Sequence, residues 1–70
     1  MAVARVVEIS STSSKSFEDA IVQGIDRATK TLRNVKSAWV KEQEAQVNDG
    51  KITAYKVNLK VTFVLDGGGV

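Results

Sequence analysis

The sequence predicts an α+β fold of β-α-β-β order, in which a three-stranded antiparallel sheet wraps around one helix. Three observations carry that reading. Tyr55, Val57, Leu59, Val61, Phe63 and Leu65 fall on odd positions, while Lys56, Asn58, Lys60 and Thr62 fall on even ones; this period of two belongs to a strand with one buried face. Phe17, Ala20, Ile21, Gly24, Ile25, Ala28 and Leu32 recur at three- and four-residue spacing, the apolar stripe of an amphipathic helix. Asn48-Asp49-Gly50 sets an Asp-Gly pair between two strand-like runs, and such a pair suits the positive φ angles of a tight hairpin.

Taken in order, the first strand is expected from Val3 to Ile9, where Val3, Val7 and Ile9 share one parity with Arg5 interrupting. The hydroxyl run Ser10-Ser11-Thr12-Ser13-Ser14 then reads as a turn leading to a helix cap, because short hydroxyl side chains compete with regular backbone pairing. It lacks the Gly-x-x-x-x-Gly-Lys pattern of a phosphate loop. The helix is expected from about Ser14 to about Arg33, capped by Ser13 or by Ser16, which has Asp19 three residues on. Glu18 and Asp19 in its first turn and Lys30 and Arg33 near its end complement the helix dipole. Gly24 costs helix stability relative to alanine, so it marks a close approach to another backbone. Gln23, Asp26, Arg27 and Lys30 form the solvated face. Asn34 suits the left-handed residue that ends a helix.

The second strand is expected from about Val35 to about Val47, with Ala38 and Val40 on one parity and Ser37, Trp39 and Lys41 on the other. Glu42, Gln43 and Glu44 put its second half in solvent or at a subunit contact. The long third strand belongs in the middle of the sheet, which leaves two strand edges open to pairing with another chain. Residues 1–66 make one domain and 67–70 a Gly-rich tail, expected to be mobile.

Seventy residues bury a small core, and scaffolds of that size are usually stapled by disulfides, a metal or partner subunits. With no cysteine and no histidine, disulfides and the common zinc sites are excluded. The staple that remains is self-association. The same absences leave no thiolate nucleophile, no Ser-His pair and no natural general base near neutral pH, so the chain is expected not to be an enzyme. Ten basic and eight acidic residues are interspersed for a net charge of +2, which suits solubility and not a nucleic-acid footprint. No run approaches the length of a membrane span and no leader pattern opens the chain, so a cytoplasmic location is expected.

Read as a whole, the sequence resembles the dodecin family. The resemblance rests on Val6-Val7-Glu8-Ile9-Ser10 followed by Thr12-Ser13, then Arg27-Ala28, Thr31-Leu32-Arg33-Asn34-Val35, and finally Tyr55-Lys56-Val57-Asn58-Leu59-Lys60-Val61-Thr62-Phe63. It implies a hollow homo-dodecamer that stores flavin (riboflavin, FMN or FAD) without turning over a substrate. In such shells the isoalloxazine rings stack in pairs between symmetry-related tryptophans near two-fold axes. The family's stacking tryptophan corresponds to Ser37, and the tryptophan of this chain, Trp39, stands two residues later. Both point to one sheet face, displaced along the strand by about 7 Å. A family glutamine that grips the ring edge corresponds to Lys56, which donates hydrogen bonds but cannot accept them.

The cofactor-binding residues implied are therefore Trp39, Lys56, Ser37 and Lys41, with partners confined to copies of the chain and a flavin-type molecule. Trp39 has two readings, a stacking platform for a flat ring or a packing residue at a subunit contact. Lys56 and Lys60 lie on the polar strand face, where they could attract the phosphate or dioxo edge of a flavin nucleotide; a charged stripe on such a face is more often solvated, and that is the reading favoured for Lys60. Glu8, Glu42 and Glu44 offer oxygen ligands that a hard cation could use on a symmetry axis, although no metal-binding residue is assigned. Arg5 and Arg33 read as ion-pair partners at subunit contacts. The alternative is the same shell without flavin, as a structural, ion-binding or other small-molecule-sequestering assembly.

Overall fold

The computed structural model describes residues 3–65. The tail from Asp66 onward lies outside them. Strand β1 (Ala4–Ser13) is followed by helix α1 (Phe17–Thr31) and by strands β2 (Val35–Asn48) and β3 (Lys51–Val64). All pairings are antiparallel in the order β1-β3-β2, with the alternating strand in the centre as its pattern demands. Its odd residues Val57, Leu59 and Val61 are fully buried against Ala20 and Ala28 of the helix. Val7, Ile9, Phe17, Ile21, Ile25, Leu32, Val35 and Ala38 pack around that centre.

Two elements differ in extent from the expected ones. The run Ser10–Ser13 is strand, not turn, pairing in unbroken register from Ser10↔Asn58 to Ser13↔Tyr55. A 14-residue central strand offers partners for the whole run, and small hydroxyl side chains let the helix lie close above it. A Cβ built on Gly24 would meet Ser11 Cβ at 3.1 Å and Leu59 Cδ1 at 2.9 Å, so the close approach that the glycine signalled is to side chains of β1 and β3 and not to another backbone. The helix is also shorter than expected at both ends. Ser16 is its N-cap, accepting from the Asp19 N–H at 2.9 Å, so Ser14 and Lys15 stay outside. Ser13 holds the same corner from the strand side: its hydroxyl accepts from the Lys15 N–H at 2.9 Å and donates to Asp19 Oδ2 at 2.6 Å. At the other end Leu32 is already extended, with its N–H still bonded to the Ala28 carbonyl, and Asn34 takes the left-handed φ of 60°.

The hairpin loop is two residues long, with Asp49 at φ 56° and Gly50 at φ 76°, the signs a right-twisted hairpin requires. Strand β2 is less regular than its parity pattern suggested. Lys36 and Lys41 are extra residues between successive rungs, and Thr53 is an extra residue on β3. Each such bulge switches the sheet face of the residues beyond it. Val35 therefore turns toward the helix while Ser37 and Trp39 turn away from it. Leu65, expected on the buried face, lies just past β3 and is exposed.

Candidate ligand site on the polar face of the sheet

The sheet face away from the helix is built from the even residues of β3 and whatever the register sets beside them. Four rungs cross it: Val6–Thr62–Ser37, Glu8–Lys60–Trp39, Ser10–Asn58–Glu42 and Thr12–Lys56–Glu44. Trp39 is the outstanding feature. Its indole is a large apolar surface, 74% exposed, on the side of the sheet that the helix does not cover. A planar, polarisable ring in that position can stack on another ring, and its N–H supplies a donor at the edge.

The rungs sort the expected site residues. Ser37 and Trp39 share a strand and a face. Lys41 is a bulge residue whose Nζ reaches over the central strand to Glu8, 3.3 Å from Oε2 and 3.4 Å from Oε1. Both ends of that bridge are about half exposed, so it orients side chains more than it stabilises the fold. Lys56 is not brought to the indole of its own protomer. It lies two polar rungs away, about 13 Å along the strand, opposite Glu44 in a shallow hollow with Glu42, Gln43 and Asn58. The residue directly beside Trp39 is Lys60, for which the sequence alone favours a solvated charge over a ligand contact. The signal was available: stepping back from the Asn48↔Lys51 pair one residue at a time on each strand arrives at Trp39 and Lys60. The bulges at Lys41 and Thr53, on opposite strands, cancel.

The carboxylates are engaged separately: Glu8 by Lys41, and Glu42 by the Asn58 amide, which donates to Oε1 at 2.9 Å. Among the described residues no three acidic side chains are gathered in a way that could hold a metal ion within one protomer. On the other side of the sheet a cavity of about 650 Å³ opens between α1 and β1, lined by Val7, Ile9, Ser11, Gly24, Ala28 and Leu32 among others. None of Trp39, Lys56, Ser37 or Lys41 lines it. It is the uncovered flank of the core, with Arg27 as its charged rim.

One open core flank, two strand edges unpaired within the chain and an exposed indole on the polar face are the surfaces of a class of small subunits suited to self-association and ligand binding. The comparisons make that class specific. A family profile for dodecin matches residues 3–66. A calcium dodecin of Mycobacterium tuberculosis is 38% identical over 64 residues, covering 90% of this chain and 89% of that protein. A dodecin of Thermus thermophilus is 36% identical over 64 residues, covering 91% and 93%. Among solved structures, the dodecin from Streptomyces davaonensis superposes with a TM-score of 0.88 at 42% identity, covering 93% of this chain and 96% of that one. The M. tuberculosis calcium dodecin superposes at 0.80 with 33% identity, covering 94% of each. The chain belongs to the dodecin family.

Proposed function

We propose that this chain forms a homo-dodecameric shell, each subunit a single domain over residues 1–66, that binds and sequesters a flavin (riboflavin, FMN or FAD) without chemical turnover. The observation that carries the reading is the exposed Trp39 indole on the polar sheet face of a dodecin-family chain. An indole so exposed is costly in water, and a stacked ring from a guest, completed by the same ring of a neighbouring copy, would cover it. Ser37 and Lys41 flank the platform on its own strand. Lys56 would have to come from a neighbouring copy, because its own strand carries it away from Trp39. Partners are then other copies and the flavin, with no nucleic acid or membrane partner and a cytoplasmic location; among the described residues no helix is long and apolar enough to cross a membrane. Riboflavin titrated with micromolar protein should lose its fluorescence, and Trp39→Ala should abolish the quenching. Unquenched riboflavin in the presence of the assembled wild-type protein rules the reading out.

A second reading is the same shell as an ion-binding assembly. It is favoured by the 38% identical relative being named a calcium dodecin, whose structure is described as having a novel calcium-binding site, and by Ser37 in the place of the family's tryptophan. Calcium titrated calorimetrically into metal-stripped protein should release heat saturably on this reading, and show dilution heat alone on the first.

A further inference from the structure

Lys60 is the cross-strand neighbour of Trp39 on one side and of Glu8 on the other. Glu8 already holds Lys41 at 3.3 Å. Directly opposed side chains on one face stand about 4.5–5.5 Å apart at Cβ, and long ones reach further. The rung therefore presents an aromatic plane, a compensated carboxylate–ammonium pair and one further ammonium. Among the described residues of its own protomer, Lys60 has no hydrogen-bond or ion-pair partner. The neighbouring polar rung toward the helix end of β2 is neutral, Thr62 with Ser37. The neighbouring rung toward the hairpin holds Glu42, whose carboxylate is turned onto the Asn58 amide at 2.9 Å. Lys56, the cation that matched the family's ring-gripping position, stands opposite Glu44 two rungs away, too far along its own strand to reach the indole's rung.

We infer that Lys60 is the specificity-determining residue of the Trp39 platform, selecting planar ring ligands that carry an anionic group over uncharged ones. The inference rests on the platform reading above and adds to it the ligand's charge and the residue that senses it. A ring stacked on Trp39 projects its substituents over the same rung, where the ammonium meets a phosphate or carboxylate as a point charge on a flexible stem. The interaction is partly exposed, so it should be modest and sensitive to salt.

Riboflavin and its 5′-phosphate are suitable probes, since they share a ring and differ by the anion. Followed by flavin fluorescence at low ionic strength, the assembled wild-type protein should bind the phosphate about three- to five-fold more tightly, the size of one partly exposed ion pair. Lys60→Gln should erase that preference while still quenching riboflavin, Lys60→Arg should keep it, and added salt should shrink it in the wild type. Equal affinities in the wild type, or a preference that survives Lys60→Gln, overturn the inference and leave the platform reading standing. A preference lost in Lys56→Gln but kept in Lys60→Gln overturns it as well. Quenching of neither probe removes the platform and the inference with it.

Discussion

At Gly24 helix and sheet meet with no room for a methyl group. Both atoms that an added Cβ would strike belong to well-packed neighbours: Leu59 is fully buried, and Ser11 is fixed in β1. Alanine is the better helix former by about 1 kcal/mol, but overpacking a close-packed core typically costs about 1–3 kcal/mol. Gly24→Ala should therefore lose stability on balance, seen as a lower denaturant midpoint with little change in slope. Asp19 makes a different kind of prediction. The Ser13 hydroxyl, with help from Gln23 and the charge of Lys15, holds its carboxyl below the ordinary value of 3.8 against the opposing effect of burial. A folded value below the unfolded one means the ionised carboxylate contributes stability above the ordinary value, and that contribution fades as pH falls through the folded one. Thermal midpoints measured down an acid series should drop for the wild type in that window, and drop less steeply for Asp19→Asn. The Ser16–Asp19 cap and the Gly24 contact were both legible in the sequence, because each depends on one residue's own chemistry. The role of Lys60 beside Trp39 was legible only by counting register from the turn.

The hairpin of β2 and β3 shows the same division at the scale of elements. Its turn was readable from Asp49-Gly50, since few residues tolerate positive φ there. Nothing lies within 4 Å of a Cβ added to Gly50 at φ 76°, so Gly50→Ala tests backbone strain alone. It should cost about 1–2 kcal/mol, the penalty of left-handed backbone for an L-residue, read by chemical denaturation. The bulges at Lys36, Lys41 and Thr53 were not readable. A strand's parity announces which residues share a face only while the register is unbroken, and what breaks it lies in the partner strand. The extra length of β1 was hidden for a related reason: Ser10–Ser13 are poor strand formers by composition and become strand because β3 runs beside them. Two of the three irregular positions carry lysines on the outer strand β2, a device that discourages edge-to-edge pairing. β1 carries no such interruption along its ten residues.

As a whole the subunit is elongated. Its Cα radius of gyration is 14.4 Å, where a compact chain of this length would have about 11 Å, and its extents are 54 × 19 × 13 Å. The reason is the hairpin arm, which runs past the end of the helix with every residue from Trp39 to Thr53 exposed, Val47 and Ile52 facing each other near its tip. Beneath the helix only three large side chains are fully buried among the described residues. A core so small, flanked by an open cavity and bearing an exposed tryptophan, leaves apolar surface that further protein would cover, and with no cysteine for a disulfide, self-association is the staple proposed for it. Family membership fits that physical argument, and the twelve-fold count and the flavin follow from it as proposals. The most direct test is the mass of the native particle by sedimentation equilibrium at micromolar concentration. The account predicts one sharp species of twelve times the 7.6 kDa chain, unchanged on dilution, and a folded, cooperative species of one-chain mass would contradict it.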